Sequence, residues 1–158
     1  MNIKVEDLNS NEIIAMLPYA RPFLFVDEIL SINEAGVTGT YRFDPESFFY
    51  QGHFKHEPVT PGVILTETMA QIGLVSLGIF LLADTSDLDQ AIGVAFTSSQ
   101  MDFFVPVFPG EKVTVKAKKE YFRFNKLKCK VEMYNEKNEL VCRGLLAGML
   151  RSKEKLKD

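Results

Sequence analysis

Residues 62–83 read GVILTETMAQIGLVSLGIFLLA, and the only ionisable side chain in this run is that of Glu67. The run is about long enough to cross a membrane as a helix. However, a carboxylate in the middle of a membrane is costly, and no basic residues flank the run to anchor it. We therefore interpret it as a buried core helix. A helix that is apolar nearly all round must be covered on every side by other structure.

The composition of the chain is that of a globular protein. Its 158 residues are enough for one domain, predicted to span residues 1–158 with a core at about 12–150. Hydrophobic residues make up 46% and charged residues 25%, which is ordinary. The 13 Phe without any Trp predict a large apolar interior or a lined pocket. A net charge of −3 gives no reason to expect a nucleic-acid partner.

The cysteines and the N-terminal residues indicate a cytoplasmic protein. Cys129 and Cys142 form no CxxC pair and fall in strand-like segments, so we expect reduced core thiols rather than a disulfide or a metal site. The first residues, MNIKVEDLNSNE, are polar and acidic. Because they contain no apolar stretch, we do not expect a secretory signal.

The remaining pattern predicts one short helix and several strands. Asn9 is suited to cap a helix that ends at Met16, ahead of Pro18. Strands are predicted at residues 23–32, 37–43, 91–104, 112–118, 126–133 and 140–150, followed by a polar tail.

Short turns between these strands favour an antiparallel sheet. One flat sheet face cannot cover the apolar helix, so either the sheet curves around it or a second subunit helps. We predict an α+β domain that dimerises.

The histidines of the chain lie immediately before the long helix. His53 and His56 are the only two, and both are in the proline-containing stretch GHFKHEPVTP at residues 52–61. A single histidine in a turn is usually a surface residue, and we expect this of His56. The carboxyl group of Glu67 is more suggestive, because burying it in an apolar helix requires a reason.

Three stretches resemble the bacterial (3R)-hydroxyacyl-acyl-carrier-protein dehydratases. They are FFYQGHFKHEPVTPGVILTETMAQ at residues 48–71, LPYARPFLFVDEIL at 17–30 and MDFFVPVFPGEKVTV at 101–115. The last two are similar to the family's LPHRYPFLLVDRVL and RFKRPVVPGDQL, and the similarity spans about residues 12–150. The resemblance implies a hot-dog fold, in which a curved antiparallel sheet wraps a long central helix.

The resemblance also implies a role for individual residues. His53 falls on the catalytic histidine and Glu67 on the catalytic acid. The N–H groups of Gly62 and Val63 would receive the thioester carbonyl. The carbonyl of Val59 would orient the histidine, and Gln71 would hydrogen-bond the acid. Phe54 and Phe103 complete the implied substrate-binding set. Those two Phe residues are either core residues or part of an acyl tunnel. A cis peptide bond between His53 and Phe54 is a further expectation.

The implied reaction explains these residue types chemically. Dehydrating a 3-hydroxyacyl thioester removes a weakly acidic C2 proton, for which a neutral imidazole is a suitable base. The C3 hydroxyl leaves more readily when an acid protonates it, and desolvation keeps a carboxyl on an apolar helix protonated. The charge that develops on the thioester oxygen needs donors, which the free N–H groups after Pro61 supply.

The resemblance further implies that the partner is an acyl carrier protein, which presents the substrate on its phosphopantetheine. It implies that the enzyme itself uses no cofactor and no metal. It implies a homodimer or a trimer of dimers, and an active site that combines His53 of one chain with Glu67 of the other.

The chain departs from the family pattern at the edges of the site. Tyr19 and Ala20 replace a His and an Arg, and Asp102, Phe104 and Val105 stand where the family has basic residues. The chemistry remains in place, but the identity of the carrier stays open. So does the choice between housekeeping fatty-acid synthesis and a specialised pathway.

Two other functions compete with dehydration. The hot-dog fold also hosts acyl-thioesterases, which usually lack the histidine of the GHF motif. A non-catalytic acyl-binding subunit would have no need of both His53 and Glu67.

Overall fold

The computed structural model describes residues 9–83 and 92–152. Their elements are helix α1 (Ser10–Met16), helix α2 (Gly62–Leu82), and strands β1 (Glu28–Asn33), β2 (Gly36–Arg42), β3 (Ile92–Phe103), β4 (Lys112–Arg123), β5 (Lys126–Tyr134) and β6 (Leu140–Ser152). A single 3-10 turn, Phe48–Gln51, precedes α2. Residue 91 of the predicted third strand and the tail beyond Ser152 lie outside the described residues.

The strands form one antiparallel sheet in the order β1-β2-β4-β5-β6-β3. Strand β5 shows why the sheet has one buried face. Leu127, Cys129, Val131 and Met133 are fully buried, whereas Lys130 between them is exposed. Side chains alternate between the two faces of a strand, so the apolar set points to the core. The predicted alternation is confirmed.

Helix α2 packs against this apolar face, as predicted for the long apolar run. Gly73 lies so close to the sheet that an added Cβ would sit 3.1 Å from Cβ of Ala117 and 3.3 Å from Cγ1 of Val131. At Gly39 of β2 an added Cβ would come within 2.8 Å of Ile72. The helix is long and apolar enough to span a membrane, but 78% of its most apolar window is buried inside the domain. The sheet therefore supplies the cover that the sequence required.

The middle of α2 is wound as a π-helix over Ala70–Val75. The backbone N–H of Ser76 bonds to the carbonyl of Gln71, five residues back, and the Ser76 hydroxyl donates to the same oxygen over 2.8 Å. Segments of π-helix occur frequently at functional sites. This one contains Gln71, whose side chain is completely buried.

The first strand begins later than predicted. Residues 23–32 have the composition of a strand, but β1 starts at Glu28. The reason is a long-range contact: the N–H of Phe25 donates to Oε1 of Gln71 over 2.7 Å, and the carbonyl of Phe23 accepts from Nε2 of Gln71 over 3.1 Å. Because a side chain occupies these backbone groups, they are not available to a neighbouring strand.

Three smaller predictions are confirmed. Helix α1 ends at Met16, and the side chain of Asn9 caps it by accepting from the N–H of Glu12 over 2.9 Å. Cys129 and Cys142 are free and buried, as expected of reduced core thiols. The fold class predicted from the sequence, an α+β domain with a long helix against an antiparallel sheet, is the one observed.

Candidate active site

His53 lies between the 3-10 turn and α2, and the backbone holds it on both sides. Its N–H donates to the carbonyl of Phe49 over 3.0 Å, and its carbonyl accepts from the N–H of Val59 over 2.9 Å. Its ring atom Nδ1 lies 2.8 Å from the carbonyl oxygen of Val59. A carbonyl can only accept, so in the neutral ring Nδ1 carries the proton and Nε2 carries the lone pair. The imidazole is thus prepared to act as a base at Nε2.

Phe54 packs directly on the histidine ring. The two rings are stacked with centroids 4.1 Å apart and planes 25° apart. The peptide bond between His53 and Phe54 is cis, as expected. The Phe54 side chain is largely exposed and His53 is half-buried. Because the two rings are stacked, an aromatic ring covers one face of the imidazole.

The start of α2 presents free N–H groups beside this loop. Pro61 is the N-cap, and its carbonyl accepts from the N–H groups of Ile64 and Leu65 over 2.9 and 3.1 Å. The N–H groups of Gly62 and Val63 precede these first helical bonds and have no acceptor among the described residues. They lie at the positive end of the helix dipole, where a carbonyl oxygen that gains negative charge would be stabilised.

A shallow groove of about 360 Å³ adjoins Gly62. Val59, Gly62 and Leu65 line it together with Phe103, Phe104 and Val105. The ring of Phe103 lies where a side chain at residue 62 would be, because an added Cβ would meet it at 3.3 Å. Glycine at this position therefore lets Phe103 and the helix start approach each other.

Glu67 is the acid of α2, and it is half-buried. Its Oε1 accepts from Nε2 of Gln71 over 3.1 Å, which is the hydrogen bond that the resemblance implied. Burial raises the pKa of the Glu67 carboxyl, and the bond from Gln71 opposes part of that rise. Oε2 has no hydrogen-bond partner among the described residues, so it is free to carry a proton toward a substrate.

Gln71 is held in one orientation by the backbone of residues 23–25. Its Oε1 accepts from the N–H of Phe25, and its Nε2 donates both to the Phe23 carbonyl and to Glu67. A flipped amide would place a donor against the Phe25 N–H and lose these bonds. The amide is thereby fixed as a donor to the acid.

The predicted residues fall into two groups within one chain. His53, Val59 and Phe54 are together, and Glu67 is together with Gln71. No hydrogen bond or ion pair joins His53 to Glu67 in the part of the chain that the structure describes. Their catalytic roles stay predictions, and within a single chain the two side chains make no bond to each other.

Tyr19 is a half-buried residue that the sequence did not assign to the site. Burial and the negative charge of Glu67 raise the pKa of Tyr19 to about 12. In the sequence Tyr19 is visible only as a departure from the family pattern.

Two further expectations concern ligands and the second histidine. Within residues 9–83 and 92–152 no group of three or more His, Cys, Asp or Glu side chains could hold a metal ion. His56 is exposed in the loop, consistent with its interpretation as a surface residue.

One long helix against a six-stranded antiparallel sheet defines a hot-dog protein, and solved structures share the fold. A dehydratase heterocomplex, ApeI:P from Xenorhabdus doucetiae, matches with a TM-score of 0.76 at 13% identity, covering 92% of this chain and 94% of that one. A thioesterase from Haemophilus influenzae matches with a TM-score of 0.59 at 21% identity, covering 96% and 93%. At such identities these structures show the fold alone.

The sequence relationships are more specific. A model of FabA-like domains matches residues 17–142. The 3-hydroxyacyl-acyl-carrier-protein dehydratase FabZ of Ehrlichia canis is 30% identical over 150 residues, covering 92% of this chain and 97% of the relative. FabZ of Petrotoga mobilis is 36% identical over 107 residues, covering 67% and 72%. The chain therefore belongs to the FabA-like family of 3-hydroxyacyl-acyl-carrier-protein dehydratases.

Proposed function

We propose that this protein is a hydro-lyase that removes water from (3R)-hydroxyacyl thioesters on an acyl carrier protein and forms trans-2-enoyl thioesters, with His53 as base and Glu67 as acid. The observation that carries the proposal is the 2.8 Å contact from Nδ1 of His53 to the Val59 carbonyl. It leaves Nε2 as the basic atom of a neutral imidazole. Membership of the dehydratase family supports the reaction class.

The proposed reaction uses the groups of the site in sequence. Nε2 of His53 takes the C2 proton, and the negative charge that moves to the thioester oxygen is stabilised by the N–H groups of Gly62 and Val63. The C2–C3 double bond forms as the C3–O bond breaks, and Glu67 gives its proton to the departing hydroxyl to make water. His53 is then protonated and Glu67 ionised, and exchange with water restores both.

The raised pKa of Glu67 supports its role as acid. A carboxyl must be protonated to donate, and burial favours the neutral form. Gln71 donates to one oxygen and leaves the other for the proton. The side chains of the site supply all the proton transfers, so we propose no cofactor beyond the carrier's phosphopantetheine and no metal.

We propose that the complete site forms between two copies of the chain. Among the described strands, β3 lies at an edge of the sheet with β6 as its one neighbour, and residues 95–100 on it are exposed. Val63, at the start of α2, is 76% exposed although it is apolar. Pairing of β3 with a second copy would cover the open edge. It would also bring His53 of the second copy to Glu67, because His53 and Glu67 of the same chain make no bond to each other.

Approach of the carrier is proposed along the groove next to Gly62. The groove is mostly apolar and aromatic, which suits the pantetheine arm. The guanidinium of Arg143 lies over the ring of Phe104, 5.5 Å from its centroid, so a positive charge is available beside the groove for an acidic carrier. The free thiols suit the reducing cytoplasm, where we place the reaction.

A single assay separates the three candidate functions. Thioesters of 3-hydroxyacyl chains of several lengths, on pantetheine and on carrier protein, are incubated with the protein while enoyl absorbance and free thiol are followed together. Dehydration predicts enoyl formation without thiol release, and His53→Ala serves as the blank. Thiol release without enoyl would identify a thioesterase, and no change in either signal would leave an acyl-binding role. Sedimentation of the same sample tests for a homodimer, or for a trimer of dimers.

A further inference from the structure

We propose that the tip of the β4–β5 hairpin binds the surface of an anionic lipid bilayer, with Phe124 inserted between the headgroups and basic side chains around it at headgroup level. The protein would then attach peripherally to a negatively charged membrane. Such attachment is independent of the proposed dehydration, because the tip lies outside the candidate active site.

Phe124 occupies a position in the turn that suits it poorly. Strand β4 ends at Arg123 and β5 begins at Lys126, so the turn consists of Phe124 and Asn125 alone. Both have positive φ, 51° and 60°, a conformation that favours Asn and Gly and that a bulky side chain rarely adopts. Phe124 is also 94% exposed, so packing within the domain does not compensate. A side chain that is disfavoured locally and unpacked in its own domain indicates a ligand outside it.

The surrounding backbone and side chains hold the tip in place. The Asn125 carbonyl accepts from the N–H of Leu150 in β6 over 2.8 Å, which ties the turn to the sheet. Beside it, the guanidinium of Arg123 lies over the ring of Tyr121, 4.5 Å from its centroid. A cation stacked on an aromatic ring, next to an exposed Phe, suits the boundary between water and lipid.

The hairpin also carries a concentrated positive charge. Residues 112–134 contain eight Lys and Arg against two Glu, although the whole chain has a net charge of −3. The exposed Lys118 and Lys130 lie directly opposite each other on the two strands, an arrangement that is destabilising. Among the described residues, no lysine of the hairpin forms an ion pair with an acid. Such a surface attracts a partner with dense negative charge.

A bilayer suits the tip better than a folded acidic protein does. A protein partner would need a pocket shaped for the single projecting ring of Phe124, whereas lipid accommodates the ring without one. Arg123 and Lys126 flank the turn, so both cations can reach the headgroups when the ring is inserted. The two acids of the hairpin, Glu120 and Glu132, lie farther from the turn along the strands.

The tip lies at the end of the sheet away from the candidate active site. Met133 of β5, Cys142 of β6 and Phe103 of β3 are partners across the three strands, and Lys126 lies seven residues before Met133. At the rise of a strand, the tip is about 23 Å from the row of residues that contains Phe103. Strands β4 and β5 are also interior in the sheet order, so pairing of β3 with a second copy leaves the tip free. Attachment by the tip would keep the groove open to a carrier.

The test measures co-sedimentation of the protein with vesicles of phosphatidylcholine alone and of equal parts phosphatidylcholine and phosphatidylglycerol. We expect binding only to the anionic vesicles, and weaker binding at high salt. Phe124→Asn should lower the affinity about 10- to 100-fold, because the ring no longer leaves water. Lys126→Gln should lower it about 5-fold, the effect of one cation near the surface.

Two matched controls remove similar side chains elsewhere. Leu30→Asn removes an apolar side chain that is 56% exposed on β1, and Lys137→Gln removes an exposed cation from the β5–β6 turn. Both should bind anionic vesicles as the wild type does. Failure of the wild type to bind anionic vesicles at low salt would overturn the inference, as would wild-type affinity in Phe124→Asn.

Stability distinguishes membrane binding from a structural role of the ring. Because Asn is favoured in this turn, Phe124→Asn should keep or raise the free energy of unfolding. It should also leave dehydration of a soluble 3-hydroxyacyl pantetheine thioester unchanged. Lower stability or altered sedimentation in this variant would overturn the inference, since the ring would then pack within the domain or between subunits.

An acidic protein partner is tested in parallel. If Phe124→Asn and Lys126→Gln weakened binding of an acyl carrier protein and left vesicle binding unchanged, the tip would be a protein-docking site and the inference would be wrong. If the wild type formed no enoyl product but bound anionic vesicles through Phe124, the proposed function would fail and the membrane site would stand.

Discussion

Replacing Gln71 with Leu tests the connection between the stability of the domain and the acid of the site. Gln71 is completely buried and makes three hydrogen bonds, to Phe25, Phe23 and Glu67. Leu is of similar size, so the main effect is the loss of these bonds rather than a cavity. The variant leaves the backbone groups at residues 23 and 25 without their partner.

The size of the effect follows from the burial of each orphaned group. The Phe25 N–H belongs to a residue that is 1% exposed, so its desolvation costs about 1–3 kcal/mol. Phe23 is 42% exposed, so water can reach its carbonyl and the loss there is about 0.5–1 kcal/mol. We expect the free energy of unfolding to fall by about 1.5–4 kcal/mol in total, which for a chain of this length lowers Tm by roughly 3–16 °C.

The assay is urea unfolding at fixed protein concentration, since pairing of subunits would make stability depend on concentration. Thr68→Val is the matched control, because Thr68 is also buried on α2 and its hydroxyl bonds to the Ile64 carbonyl. Because that carbonyl lies within a helix, the free energy of unfolding of the control should fall by no more than about 1.5 kcal/mol. A Gln71→Leu variant as stable as the control would refute the assignment of Gln71 as the partner of the Phe25 backbone.

The same variant makes a prediction for the acid. The hydrogen bond from Gln71 lowers the pKa of Glu67 against the effect of burial, so its removal should raise that pKa. If Glu67 acts in its protonated form, the alkaline limb of the pH–rate profile should move to higher pH in Gln71→Leu. A limb that moves to lower pH would contradict either the role of Glu67 or the direction of the hydrogen bond.

The remaining predictions concern His53 and Glu67. His53→Ala and Glu67→Gln should each lower the dehydration rate about 10²- to 10⁴-fold while the protein stays folded, and near-wild-type turnover in either would refute its role. Subunit exchange between these two variants should restore activity to about a quarter of wild type, because half the dimers are mixed and each has one intact site of two. No recovery after proven exchange would mean that each chain builds its own site. Because burial raises the pKa of Glu67, the fold is most stable below the ordinary pKa of the carboxyl and loses stability as the pH rises through the folded value. Glu67→Gln should therefore gain stability relative to wild type as the pH rises above 4.5, and a constant difference in the free energy of unfolding would argue against the raised pKa.

Local patterns predicted the elements whose side chains alternate in a simple way. Strand β5 is one, since Leu127 and Cys129 alternate with lysines on either side, and α2 is another. The start of β1 was wrong because the backbone at Phe25 is bound by Gln71, 46 residues along the chain. No property of residues 23–27 by themselves indicates that contact.

The site was predictable only in part for a similar reason. The hydrogen bond between Gln71 and Glu67 joins residues one helical turn apart, a spacing that a sequence reveals. The hydrogen bonds of Gln71 to the backbone of Phe23 and Phe25 require the segment after α1 to meet the middle of α2. Such a meeting is fixed by packing of the whole domain.

The loop between His53 and Val59 is closed by backbone atoms at residue 59. Its N–H and its carbonyl make both bonds to the histidine, and the same residue lines the groove. The choice of tautomer is therefore indifferent to which amino acid occupies residue 59, provided that it is not proline, which has no N–H. An engineer could reshape the groove from this position to admit bulkier acyl chains and leave the proton of the imidazole where it is.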